Sequence, residues 1–302
     1  MTSASYRSAF ENWDSRASVR VKPLRPTTDE TATFFPPEQI TGHEELRGVL
    51  TPEAWRRYLV LNMQAYLDFT VQLEALIVLP VTALIGVDRS GVELPEAMRR
   101  DAMAITTDEA WHGQFTADLM RRIHAQTSVA PSLPATYEFQ RTRDRLRDSV
   151  APALRPAFDL LVTYVSETLI STRLMSMPRD GRLPGYVREV VADHCEDERR
   201  HHAYFRAFLP YLWRSLAASE RSTLAALVPD TVVAFLGRDK ALEEHLLVRA
   251  GMDAAAARDF THDFTDRSVG PRIARDSLAC VRYLAELHAV DLDRFQERLA
   301  AA

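Results

Sequence analysis

The chain has 302 residues, 46% of them hydrophobic and 26% charged, with a formal net charge of −5. That length is enough to bury a large core, and neither charge is in the excess that would mark a nucleic-acid or membrane-surface partner. Two cysteines, Cys195 and Cys280, with no CxxC pair, exclude a disulfide scaffold and a cysteine-built zinc or redox site.

The opening residues, "MTSASYRSAFENWDSRASVRV", contain no apolar run, so no signal peptide is expected and the setting is read as cytoplasmic. Residues 1 to about 37 are polar and irregular and end in "KPLRPTTDETATFFPP". Residues 1–50 are read as an arm lying on the surface or on a neighbouring subunit. From Thr51 onward apolar residues recur at helical spacing, glycine is scarce, and no stretch alternates as a strand does. The fold class is therefore all-α.

The first long helix is predicted from about Pro52 to Ile85, with Thr51 as N-cap and Pro52 at the first helical position. Pro80 is expected to bend it near its end. Its most apolar run, Leu73 to Val87, is interrupted by Glu74 and Pro80, and at about 15 residues it falls short of the roughly 20 a membrane span needs. A second long helix runs from about Pro95 to Ala125 and is broken by "QTSVAPSLP"; a polar helix in "YEFQRTRDRLRDSV" follows. The third spans about Arg155 to Met177 and the fourth about Tyr186 to Leu216. Shorter accessory helices occupy 217–302. Two long helices, a long crossover and two more long helices make a ferritin-like four-helix bundle with one long crossover over residues 51–216, within a single domain.

Acids and histidines interrupt the apolar faces of all four long helices. Glu74 stands in "VQLEALIVLP"; Glu109 and His112 form an E-x-x-H pair in "TDEAWH"; Glu167 stands in "LVTYVSETLI"; Glu198 and His201 form a second E-x-x-H pair in "HCEDERRH". His194, Glu198 and His201 fall within an arc of roughly 60° on one helix face. Glu, E-x-x-H, Glu, E-x-x-H is the inward ligand set of dimetal carboxylate bundles. Two divalent cations would be neutralised by the four carboxylates, which makes the burial of both tolerable. The competing account pairs Glu74 with an arginine and Glu167 with hydroxyls such as Thr163 or Tyr164, and makes His112 and His201 satisfied core histidines. H-E-x-x-H, G-x-S-x-G and G-x-G-x-x-G are absent. Electrons from a nicotinamide would then have to arrive through another protein or a small mediator.

Asp108 and Asp197 each precede a motif glutamate. Histidine ligands usually give their other ring N–H to a carboxylate, and in antiparallel helices each aspartate is placed to reach the histidine of the opposite motif, with Arg200 neutralising the pair. The alternative leaves both as solvated acids. Tyr66, Phe69 and Thr70 precede Glu74, and Tyr164 precedes Glu167; these are candidates for a substrate pocket, against the plainer reading that they are core. Asp68 points about 120° away from Glu74 and is read as a salt bridge or solvated acid.

With His194 one turn before the last E-x-x-H, the set resembles the AurF-type arylamine N-oxygenases, a family of non-haem di-iron enzymes of antibiotic biosynthesis. The resemblance covers about Thr51 to Leu216. It implies that Glu74, Glu109, His112 and Glu198 hold one iron, and that Glu109, Glu167, His194, Glu198 and His201 hold the other. For His194 the alternative is a hydrogen bond to Glu198 without metal contact. The resemblance also implies two iron ions, O₂ as co-substrate, an external electron donor, a small-molecule amine oxidised to hydroxylamine, nitroso or nitro product, and a homodimer. Rival readings are a di-iron hydroxylase or desaturase acting on carbon, and a non-catalytic ferritin-like metal-binding protein.

Overall fold

The computed structural model describes residues 6–25, 33–263, 269–287, 295 and 297, and these are helical with no strand among them. Two short helices, α1 (Trp13–Arg16) and α2 (Ser18–Val21), come first. After α3 (His43–Val49) the first bundle helix, α4 (Pro52–Leu73), begins. Thr51 caps it, its hydroxyl accepting from the Ala54 N–H at 3.1 Å.

Past Leu73 the helix widens. Glu74–Val78 is a π turn in which the Leu79 N–H reaches back to the Glu74 carbonyl, and α5 (Leu79–Gly86) continues from it. Pro80 has no N–H to add to the ladder. The helix meets that loss by widening immediately upstream and running on to Gly86. Such one-turn π insertions recur at functional sites, and this one starts at Glu74.

The second bundle helix is α6 (Glu96–Thr127), closed by Ser128 in the left-handed region at φ 56°. The crossover carries α7 (Glu138–Ser149) and leads to α8 (Arg155–Leu174), and α9 (Gly185–Ser215) completes the bundle. α4 and α5 pack on α6, α6 on α9, α9 on α8, and α8 on the π turn and α5, which closes the ring of four. The facing stripes bury Met63, Leu73, Ile105, Leu119, Leu161, Leu169, Phe205 and Phe208. Each such side chain stabilises by ~1.5–3 kcal/mol, and this packing holds buried acids at the centre.

Beyond the bundle come α10 (Ala218–Leu236), α11 (Lys240–Ala250), α12 (Ala254–Asp263) and α13 (Val269–Glu286). α10 and α13 lie against α8, and α11 lies against α4. The long apolar helix over Pro52–Gly86 is a bundle member, with Leu61, Met63, Leu73, Val78 and Ile85 buried in the core.

Within the N-terminal arm, residues 6–25 form a strap laid across α6 and α9 of the same chain. Phe10, Ala17 and Ser18 are buried. Lys22 Nζ lies 2.6 Å from Glu196 and 3.0 Å from Asp193, and Arg25 makes a two-pronged contact to Asp193. Phe10, Trp13 and Ala17 follow one another at helical intervals, a short apolar stripe that marks the strap's inner face but is easily lost among its charged neighbours.

Candidate metal centre

The antiparallel pairing of α6 and α9 sets the site. It places Asp108 Oδ2 3.3 Å from His201 Nε2, and Asp197 Oδ2 3.2 Å from His112 Nε2. The inner ring nitrogens then face carboxylates. His201 Nδ1 lies 3.0 Å from Glu109 Oε1, 3.2 Å from Glu198 Oε1 and 3.5 Å from Glu167 Oε2. His112 Nδ1 lies 3.3 Å from Glu109 Oε2, 3.6 Å from Glu198 Oε1 and 3.9 Å from Glu74 Oε1.

Two groups result: Glu74, His112, His194 and Glu198, and Glu109, Glu167, Glu198 and His201. Within each, the ligand atoms lie within 4.8 Å of one another, and Glu198 belongs to both. Glu109 also lies between the groups, one oxygen toward His112 and the other toward His201. All seven side chains are buried.

His194 falls in the other group from the one the resemblance implied. Its Nε2 is 3.0 Å from Glu74 Oε1 and 3.2 Å from Glu198 Oε1, and its ring centre is 4.2 Å from that of His112. The reason is axial. Seven residues of helix separate it from His201 by about 10 Å, which carries it along α9 to the level of His112 and Phe115 on the antiparallel α6.

Neither structural alternative for the lone glutamates has a partner here. Glu74 faces His194 and His112, with no arginine paired to it among the described residues. The Thr163 hydroxyl donates to the Asp159 carbonyl and the Tyr164 hydroxyl to the Cys280 carbonyl, so neither serves Glu167. Both oxygens of Glu74, one each of Glu109, Glu167 and Glu198, and His201 Nδ1 are buried without hydrogen-bonding geometry to any described group. Buried polar atoms are rarely left in that state, and here they converge.

The electrostatics point the same way. Burial pushes Glu74 and Glu167 upward, Glu167 well above the usual carboxylate range with help from the charges of Glu198 and Glu109. For Glu109 and Glu198 burial also pushes upward, but the neighbouring histidines outweigh it and hold both low. His112 and His201 are raised well above the ordinary imidazole value against the opposing effect of burial, and His194 to about 8. Four carboxylates enclosed together draw positive charge into the pocket.

The strap completes the outer layer. Trp13 Nε1 donates to both oxygens of Asp108, at 2.9 and 3.0 Å. The Ser18 N–H donates to Asp197 at 3.2 and 3.3 Å, and Arg200 is ion-paired with the same carboxylate. The Phe10 ring stacks on His201 at 6.2 Å between centres. Against a burial effect that raises it, Asp197 is held down to about 2, by His112 first and then by Ser18 and Arg200.

Residues 4–287 match the family model described as p-aminobenzoate N-oxygenase AurF. The chain belongs to this AurF family. The match runs on both sides of the bundle and takes in the strap and the C-terminal helices, well beyond the Thr51–Leu216 over which the resemblance was drawn. None of the curated proteins matches the chain. Family membership makes the protein an oxygenase by descent, and its buried glutamate and histidine groups fit metal binding.

The proposed pocket residues divide. Tyr66 and Phe69 line a cavity of about 140 Å³ with Tyr58, Tyr137, Phe139 and Phe235. Thr70 does not line it, and its hydroxyl donates back to the Tyr66 carbonyl in α4. Tyr164 is fully buried and anchors α13 through Cys280, so it packs the core instead. Asp68 is partly buried and accepts from the Tyr137 hydroxyl at 2.8 Å and from Gln72 at 2.7 Å, with no salt bridge to it among the described residues.

Proposed function

We propose that the protein is an O₂-dependent di-iron oxygenase that oxidises an amine nitrogen. The observation that carries this is the pair of overlapping carboxylate–histidine groups sharing Glu198, in a family described as acting on p-aminobenzoate nitrogen. In this reading Glu74, His112 and His194 hold one ion, Glu167 and His201 the other, and Glu109 and Glu198 lie between them. The unsatisfied carboxylate oxygens and the inward Nδ1 atoms supply the donors. Mixed oxygen and imidazole donors suit iron or manganese, whereas soft thiolate sites suit other metals. Iron in this setting would supply electrons to O₂ in steps.

The chain's own residues orient and enclose. Asp108 and Asp197 hold His201 and His112 by their outer nitrogens, which fixes each tautomer with the inner nitrogen free to bind. The strap and bundle exclude water from all seven side chains. The aromatic-walled cavity on α4 begins one turn and more before Glu74, and its flat walls suit an aromatic amine. Arg272 lies on its wall with no ion-pair partner among the described residues, which favours an acid-bearing ring such as the family's p-aminobenzoate.

The stoichiometry is amine plus O₂ plus two electrons and two protons, giving hydroxylamine and water. The electrons come from an external donor protein or mediator. A homodimer is part of the proposal: Leu76, Leu84 and Val87 on one helical face, with Met103 on the adjoining α6, form an exposed apolar stripe that a second copy would cover.

The test is elemental analysis followed by product analysis. Two iron or manganese ions per chain, and hydroxylamine or nitro product from an aryl amine panel with O₂ and reductant, support the reading. One zinc per chain refutes it. A C–H substrate gaining one hydroxyl while no amine reacts would transfer the assignment to carbon oxidation.

A further inference from the structure

Three histidines stand at the site, and each is held on its outer side differently. His112 leads through Asp197 to a backbone N–H and to Arg200, neither of them conjugated with a ring. His194 faces Glu74, Glu198, His112 and Phe115 within the bundle. Among the described residues, His201 alone of the three leads through hydrogen bonds to an aromatic heterocycle. From His201 Nε2 the path crosses 3.3 Å to Asp108 Oδ2, and Trp13 Nε1 donates to that same carboxylate at 2.9 and 3.0 Å. Trp13 is partly exposed while Asp108 and His201 are fully buried. Three hydrogen-bonded side chains therefore join solvent to the inner Nδ1 of His201, which lies 3.0 Å from Glu109 and 3.2 Å from Glu198.

We propose that Trp13 is the entry port for electrons delivered by a one-electron carrier to the metal centre, through Asp108 and His201. The inference rests on the dimetal reading above. Electronic coupling decays less steeply along bonds and hydrogen bonds than across van der Waals gaps. A hydrogen-bonded chain without a gap is therefore favoured over paths that cross van der Waals contacts, such as the ring contacts from Trp111 through Phe115 to His112. Each transfer oxidises one carrier by one electron and reduces one Fe(III) to Fe(II); two transfers reduce the pair. Trp13, Asp108 and His201 gain and lose no atoms. The Arg20 guanidinium lies 5.5 Å from the centre of the Trp13 ring. A cation over the ring disfavours the oxidised indole, so the ring passes electrons inward without holding a hole. The strap's ion pairs from Lys22 and Arg25 to α9 keep the indole seated.

The experiment uses the full-length, iron-loaded, oxidised protein, mixed anaerobically with a reduced [2Fe–2S] ferredoxin, a carrier too large to enter the bundle. Stopped-flow absorbance follows oxidation of the carrier. Trp13→Phe keeps most of the ring and deletes the N–H donor, and Trp55→Phe, on the distant end of α4, is the control. Iron content, melting temperature and midpoint potential are measured for each. The expected result is a rate at least about tenfold slower in Trp13→Phe, with iron content and potential unchanged, and a wild-type rate in Trp55→Phe. An unchanged rate in Trp13→Phe overturns the port. So does a slow rate accompanied by lost iron or a shifted potential, because Trp13 would then only position Asp108. If wild-type protein binds no iron, the dimetal reading itself fails, and that failure is visible before any rate is measured.

Discussion

Asp108→Asn gives a site-specific test of the outer layer. The substitution keeps the shape and removes the charge. Asp108 now accepts from Trp13 Nε1 and faces His201 Nε2. An asparagine has one oxygen and one NH₂. With the oxygen toward Trp13, the NH₂ meets His201 Nε2 and drives the ring proton to Nδ1, the atom that faces Glu109, Glu167 and Glu198. With the amide turned over, the NH₂ meets the indole N–H, donor against donor. Either way one contact is lost. Changes to such outer partners cost 10–100-fold in metal affinity, or ~1.4–2.8 kcal/mol. The loss should fall on the ion at Glu167 and His201. The ion at Glu74, His112 and His194 depends on Asp197 and should change by less than about threefold. Anaerobic calorimetric titration with Fe(II) reads two binding constants. Asp108→Asn should lower one of them, Asp197→Asn the other, and the double variant both. Equal weakening of both constants by Asp108→Asn, or of neither, refutes the reasoning.

Two further predictions concern stability. Glu167 is raised well above its ordinary value by burial and by its acidic neighbours, so in metal-free protein its ionisation opposes folding increasingly as pH rises above the unfolded carboxylate range. Glu167→Gln should raise the melting temperature of metal-free protein by at least about 2 °C at pH 8 and by less at pH 5; equal gains at both pH values would be the wrong result. Tyr164→Phe leaves the Cys280 carbonyl without its 2.9 Å donor and should cost ~1–3 kcal/mol in denaturant unfolding. The KM for an amine substrate should stay unchanged, and a raised KM would return Tyr164 to the pocket.

The sequence by itself determined what periodicity and local chemistry can specify. Apolar spacing and the Thr51–Pro52 start set the four long helices, whose observed ends lie within a few residues of those predicted. Lone acids on apolar helix faces marked Glu74 and Glu167, because a carboxylate in such a setting is costly unless something balances it. The i,i+3 spacing placed each E-x-x-H pair on one stripe, since that relation lies within a single helix. Relations between helices were decided only in three dimensions. His194 joins Glu74 and His112 because the antiparallel register of α6 against α9 sets its level, and register is a property of two chain segments. Glu74 is presented by a π turn whose only local sign is Pro80, two residues beyond it. Tyr164 stands near Glu167 in sequence but turns to α13, since a helix residue a few positions from a ligand can face a different neighbour. Trp13 and Ser18 reach Asp108 and Asp197 from 95 and 179 residues away. Contacts of that separation leave no period in the chain, and packing alone brings them together.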